Sequence, residues 1–462
     1  MSRMLFRQVI HEDLGCASYL VGDRDAGVAA VVDPRFDVAE YLSLARYLGV
    51  RIEHVLETHT HADHVSGHGR LAAATGATLH VHRLAAAEYA HEPFDDGWRL
   101  ALGGLTITAL HTPGHRPEHT SFLLAETERD ERPWAVLTGD TLFAGDVART
   151  DLAVEAHAGA REIFRSLHER LLALDDATEV WPAHLGGSMC GGPGMDLKVS
   201  STIGWERRHN ARLQERDEAR WVEHAVAALG PQPPSFERIV LLNRGPLIVG
   251  GAELPPLEPR QVELAAAAGA MVVDVRTDVQ FDDAHIPGAV AIPIRQAGFG
   301  TKLAWLLAPG QAVVLVGRDD ADAEHAAALA LAVGARRFAG RLAGGMTSWR
   351  AEGREVARIE RLAAADLPAR RASDDALQVL DVREQGEWRA GHLRGSLHAP
   401  YHELLELPVG IDPARPVAAV CASGQRSAVA ASLLARRGVR EVIHVVHGGV
   451  GTLARAGEPL VS

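Results

Sequence analysis

Residues 272–293, VVDVRTDVQFDDAHIPGAVAIP, return as VLDVREQGEWRAGHLRGSLHAP at 379–400. Asp274 and Asp381 stand 107 residues apart, as do His285 and His392, and Gly288 and Gly395. Further on, the Gly344-Gly345 pair meets Gly448-Gly449 at an offset of 104. A repeat this long is a duplicated domain. A solenoid needs several short units stacked on one another, and two long copies do not build one. The last 200 residues or so therefore read as two α/β domains of similar size, each too small to share a core with the remainder.

That remainder alternates short β runs with helical stretches. CASYLVGD and AAVVDP read as strands, EYLSLARYLG as a helix closed by Gly49, and HVLET as a strand running into histidines. Residues 205–230, from Trp205 to Gly230, read as one helical segment, and PQPPSF behind them cannot continue a helix. The stretch from there to about residue 260 is rich in Pro and Gly and reads as a linker or domain edge. The expected division is 1–235, 236–358 and 359–462. A net charge of -13 argues against a nucleic-acid surface, which needs a basic patch. No apolar run is long enough to span a membrane, and the N-terminus carries no secretory h-region. Three cysteines make no disulfide framework, so a cytoplasmic location with free thiols is expected.

Histidines crowd between His54 and His119. The run T-H-T-H-A-D-H, Thr58 to His64, follows a strand, with Asp63 and His64 expected to begin a helix. His115 in HTPGH, Asp140 in LTGD and His184 in WPAH each follow an apolar run, where strand ends pool side chains at one sheet edge. Imidazole and carboxylate together suit zinc or non-haem iron. His68, His80, His82, His111 and His119 lack such a pattern and read as supporting groups.

His59-x-His61-x-Asp63-His64 with His115, Asp140 and His184 resembles the metallo-β-lactamase superfamily, over roughly residues 5–225. The resemblance implies an αββα sandwich with metals at one edge. Glyoxalase-type thioesterases of that superfamily use all seven residues to hold two zinc ions. Persulfide dioxygenases hold one ferrous iron, which carried onto this chain falls on His59, His115 and Asp140. His61, Asp63, His64 and His184 would then surround those ligands, or hold the second metal in the other case. GDVARTD and GGSMCGGP followed by SSTIGWERRHN resemble the rhodanese-fused dioxygenases, and Arg149 matches an arginine near the substrate carboxylates there. Cys190, six residues past His184, is a possible sulfur relay. Cys16 reads as a buried strand residue.

AAVCASGQRSAVAASLLARRG reads as strand, loop and helix, with Cys421 at the strand end. Such a loop aims backbone N–H groups and a helix N-terminus at sulfur, which stabilises a thiolate or a persulfide anion. Arg426 adds a positive charge for an anionic donor or acceptor. With LDVRE upstream and HGG behind, the stretch is similar to rhodanese sulfurtransferases, in which Asp381, Arg383 and His392 would mark the fold. Ala422 replaces a basic residue of many thiosulfate-using members. In the first copy Gly317 stands at the Cys421 position and Asp322 at the Arg426 position, so that copy is expected to be inactive.

These resemblances imply an α/β multidomain chain: a metallo-β-lactamase sandwich followed by two rhodanese-like domains with parallel sheets. The implied enzyme is an oxidoreductase of sulfide detoxification that oxidises a low-molecular-weight persulfide, such as glutathione persulfide, with dioxygen to sulfite. It would use one Fe(II) per chain, with sulfurtransferase chemistry at Cys421 making or using thiosulfate. The alternative is a dinuclear zinc thioester hydrolase with accessory rhodanese domains. A homo-oligomer, dimer or tetramer, is expected, with no nucleic-acid or membrane partner.

Overall fold

A computed structural model describes residues 4–186, 188–192, 194–296 and 298–462. They fall into two compact units, Met1–Gly251 with Leu331–Gly334, and Ala252–Ala330 with Ala335–Ser462. Among the described residues no helix is long and apolar enough to cross a membrane.

The first unit holds two six-stranded sheets. One runs in the order Met4–His11, Cys16–Asp23, Val28–Val32, Arg51–Leu56, Thr78–His82, Glu92–Phe94. The other runs Ser201–Thr202, Glu179–Pro182, Ala135–Gly139, Thr120–Glu126, Leu105–His111, Arg99–Leu102. Side chains alternate along a strand, so each central strand feeds two cores. Ala17, Tyr19, Val21, Ala30 and Val32 meet Leu105, Ile107, Phe122, Leu124 and Leu137 between the sheets. Leu20, Ala29 and Val31 face the other way, against Tyr41, Ala45 and Leu48 of the helix Ala39–Leu48. On the far side Val136 and Val180 pack with Ala160, Ile163 and Trp221 of the helices Ala156–Arg165 and Glu218–Ala227. The layers are αββα. Gly49 closes the first helix in the left-handed conformation, as read from sequence.

Three local expectations are corrected. The segment 205–230 is broken: a helix ends at His209, Asn210 turns extended, and Asp217 caps a new helix, Glu218–Ala227. Asn and Asp side chains compete for backbone groups, and Asn210 does so with Arg212 N–H. Asp63 and His64 do not start a helix; the loop continues to His68, where the helix His68–Thr75 begins. Residues 236–244 form a helix, Phe236–Arg244, and the first unit runs past residue 235 to Gly251.

In the second unit two five-stranded sheets share one strand order. The first is Pro256–Leu257, Phe338–Leu342, Val313–Val316, Met271–Asp274, Val290–Ala291. The second is Glu360–Ala363, Val442–Val446, Val417–Val420, Gln378–Asp381, Leu397–His398. Every pairing in both is parallel. Each copy carries the same fork: Arg276 on Asp274 with Nη2 reaching Ala284 O, and Arg383 on Asp381 with Nη2 reaching Gly391 O. The fork persists in the copy without a cysteine nucleophile, so it supports the fold.

Candidate metal centre and thiol loop

His59 ends a strand-loop junction, His115 follows Leu105–His111, and Asp140 follows Ala135–Gly139, so three strand ends deliver the three side chains to one place. Their ligand atoms lie within 4.8 Å of one another and all three residues are buried. Asp140 Oδ2 is 3.4 Å from His115 Nε2 and 3.8 Å from His59 Nε2. None of these three atoms has a hydrogen-bond partner among the described residues. Three buried polar atoms left unpaired and facing one another are costly unless something else satisfies them. Two imidazole nitrogens and one carboxylate oxygen on one face fit a mononuclear divalent metal, the donor set of non-haem iron.

The opposite edge of each ligand is fixed. His115 Nδ1 donates to Arg149 O at 3.0 Å, which leaves Nε2 as the lone pair. His59 Nδ1 meets Thr58 Oγ at 2.9 Å, and that hydroxyl donates to Asp33 at 2.8 Å. The Asp140 N–H donates to His119 Nε2 at 2.9 Å. Gly139, at φ +50°, sits so close that a Cβ there would lie 2.5 Å from His119 Nε2. Burial keeps His59 and His115 below the usual imidazole range, hence neutral. Burial pushes the Asp140 carboxyl up, but His184 and His115 prevail and bring it to about 2. The trio is already in the protonation state that metal binding requires.

The other cluster residues are engaged elsewhere. His61 Nε2 lies 3.2 Å from both Asp33 and Glu57, and these carboxylates outweigh burial to hold it well above the ordinary imidazole value. His184 Nδ1 is 2.7 Å from Asp140 Oδ1 and its Nε2 is 2.9 Å from Asp63. Asp63 also reaches His64 Nδ1 at 3.1 Å. Cys16 is the buried strand residue expected, and beyond that reading its Sγ lies 3.4 Å from Asp63, 3.3 Å from His184 and 3.8 Å from His64. A thiol 47 residues before Asp63 on a separate strand carries no spacing signal that could have found it.

The sequence reading also missed Asn243, set in the stretch read as a linker. It accepts from Ser66 N–H and donates to His61 O and His64 O, satisfying the loop backbone that no helix satisfies. The Arg149 guanidinium is buried on Asp151, Met189 O and Gly230 O, so the carbonyl of this residue is the part that meets the site. Cys190 is buried, with a ligand atom within 4.8 Å of those of Asp140 and His184, and burial pushes its thiol up.

In the second unit Cys421 follows Val417–Val420 and precedes the helix Gln425–Arg436, and its side chain is buried. Gly424 N–H donates to Sγ at 3.1 Å, and Ser427 Oγ is 3.5 Å away. Burial opposes ionisation, yet the Ser427 hydroxyl and the N–H groups of Ser423, Ser427 and Gly424 hold the thiol below its ordinary value. A Cβ on Gly449 would stand 1.9 Å from Cys421 O, which is why the HGG motif passes beneath the loop. Arg426 is gripped by Glu387 through two contacts, at 2.5 and 2.8 Å, so its charge is compensated here. In the first copy Asp322 binds Arg318 beside Gly317, and no thiol is present.

The sequence matches the Metallo-beta-lactamase superfamily over residues 11–184 and the Rhodanese-like domain over 259–352 and 364–454. It is 31% identical over 233 residues to a probable metallo-hydrolase of Burkholderia pseudomallei, covering 43% of this chain and 76% of that protein. It is 30% identical over 184 residues to the mitochondrial persulfide dioxygenase ETHE1 of Homo sapiens, covering 39% of this chain and 68% of that one. A crystal structure of a metallo-beta-lactamase from Staphylococcus aureus superposes with a TM-score of 0.66 at 27% identity, over 74% of this chain and 99% of that one. With the αββα layers, the metal-ready strand ends and the doubled thiol-loop fold in place, the chain belongs to the metallo-β-lactamase superfamily and bears two rhodanese-like domains behind that fold.

Proposed function

We propose that this protein oxidises a low-molecular-weight thiol persulfide with dioxygen in its first unit and moves sulfane sulfur on Cys421 in its second. One observation carries the first half. His59 Nε2, His115 Nε2 and Asp140 Oδ2 are buried, without hydrogen-bond partners and within reach of one ion, while Asp63, His64 and His184 hydrogen-bond with one another and with Asp140. The relatedness to ETHE1 supports the same reading.

A ferrous ion held by His59, His115 and Asp140 would supply the redox chemistry that activates dioxygen toward the persulfide sulfur. Arg149 O and Thr58 Oγ keep the two imidazoles oriented, and His119 and His184 hold Asp140 from two sides. The overall reaction balances as persulfide anion, dioxygen and water giving thiol, sulfite and a proton. On Cys421, the thiolate attacks the outer sulfur of a persulfide and expels the thiolate of the donor. Sulfite then takes that sulfur as thiosulfate and returns the Cys421 thiolate, and the reverse direction is equally available. Gly424 N–H stabilises the anionic sulfur throughout.

The test is oxygen consumption by the iron-loaded chain on adding glutathione persulfide, with sulfite and thiosulfate measured together. His115→Ala should abolish uptake, and Cys421→Ser should leave sulfite and remove thiosulfate. Two zinc ions per chain with oxygen-independent hydrolysis of acyl-thiols would overturn the reading.

A further inference from the structure

The nucleophile-free copy places one side chain within a single residue of the active loop. Asp282, on its helix Asp278–Asp283, is 3% exposed, and His444, on the strand Val442–Val446 of the second copy, is 0% exposed. His444 Nδ1 is 2.8 Å from Asp282 Oδ2, and its Nε2 is 2.8 Å from Gly424 O. A carbonyl oxygen only accepts, so Nε2 is the donor, and the carboxylate takes the other ring edge. Gly424 is the residue whose N–H donates to Cys421 Sγ at 3.1 Å, and it holds φ +103°, a conformation that few L residues adopt. Its carbonyl also accepts from Ser427 Oγ, the hydroxyl 3.5 Å from the same sulfur.

Arg361 of the second copy reaches Asp282 at 2.5 Å and Asp278 at 3.1 Å, so the buried carboxylate meets a guanidinium from across the repeat. The arrangement has no mirror image. At the repeat offsets of 107 and 104, Asp282 corresponds to Arg389 and His444 to Gly340. Two residues that meet across the copies are therefore the ones in which the copies differ, by charge in one case and by loss of the whole ring in the other.

We propose that the first rhodanese-like copy is a positioning partner for the second. Asp282 fixes the His444 ring, His444 fixes Gly424, and Gly424 with Ser427 sets the hydrogen bonds that make Cys421 reactive. Neither Asp282 nor His444 touches sulfur or substrate; both act through the loop. The inference rests on the reading of Cys421 as the sulfur carrier.

The experiment uses the full-length, iron-loaded chain with Asp282→Asn, His444→Gln and Arg361→Gln. It reads the rate of Cys421 alkylation by iodoacetamide at neutral pH, the kcat and KM of sulfur transfer from glutathione persulfide to sulfite, and the melting temperature. Asp282→Asn and His444→Gln should each slow alkylation and lower kcat about tenfold, with KM nearly unchanged, because a displaced loop costs chemistry more than binding. Arg361→Gln removes a neighbour of the same carboxylate but leaves the His444 link, so it should lower the melting temperature and leave both rates alone. Should Asp282→Asn not fold, His444→Gln against Arg361→Gln decides alone. Unchanged alkylation and kcat in His444→Gln, or losses in all three variants that follow melting temperature alone, would overturn the positioning role. A wild-type chain that alkylates at Cys421 but transfers no sulfur would instead overturn the carrier reading.

Discussion

Asp140 divides its two carboxylate oxygens: Oδ1 lies 2.7 Å from His184 Nδ1, and Oδ2 is left to face His59 and His115. The metal-facing oxygen is thus single, and its aim is set by a histidine on a different strand end.

Replacing His184 with Ala should therefore weaken metal binding without changing the number of ions. We expect one iron per chain before and after the change, with affinity about 10- to 100-fold lower, the usual cost of losing a group that orients a ligand. Metal analysis combined with chelator competition checks both numbers. A rise to two ions in the wild type would contradict the geometry.

Asn243→Ala should destabilise the first unit by about 2–4 kcal/mol, because it strands the His61 and His64 carbonyls and the Ser66 N–H in a buried loop. Thermal melting of the metal-free chain measures it. Iron affinity should fall as well, since His61 and His64 lie in the loop that carries His59.

Alkylation of Cys421 should rise with pH and reach half its maximum below 9.0, the ordinary thiol value, since the loop lowers the thiol in the folded chain. The thiolate is the reacting form, so the rate falls as pH drops through the lowered value. Ser427→Ala should move the midpoint up. The rate profile of the Cys421 peptide, followed by mass spectrometry, checks this.

Glu387→Gln should free Arg426 to act on anionic substrates. The pair is partly exposed, at 23% and 38% of the side chains, so about 0.5–1 kcal/mol is the expected scale. That corresponds to a KM for glutathione persulfide about two- to fivefold lower, with kcat little changed. An unchanged KM would show that Arg426 does not meet the donor.

Asp274→Ala should cost about 3–5 kcal/mol, because it leaves the buried Arg276 guanidinium without its carboxylate. Asp381→Ala should cost the same in the second copy, where the fork is identical. Melting curves of the two variants test the equivalence.

Much of this was legible in the residues. The short apolar run in CASYLVGD and the offset of 107 point to a strand and to a doubled domain, and both copies show one strand order. Places behind apolar strands put His59, His115 and Asp140 among seven candidates at one edge, and only the resemblance to persulfide dioxygenases selects these three. What stayed hidden depends on contacts between distant strands and helices. Cys16 reaches the cluster only because its strand lies two places from the one that feeds the histidines, and nothing about a cysteine in CASY signals that. Asn243 sat in a stretch whose prolines and glycines masked a short helix. His444 reads as one more residue of a β run until its ring is seen to join two copies. The sequence places a helix start at Asp63 and His64, whereas the loop runs on to His68. His61, Asp63 and His64 are instead drawn to separate carboxylate and imidazole partners.

The fork of Asp274 and Arg276 sits on a different strand from the loop that follows Val316, and so does its counterpart in the second copy. Folding of each copy therefore makes no demand on a thiol. Change in one nucleophile loop carries no penalty to foldability, and a copy without the thiol stays whole and available for another task.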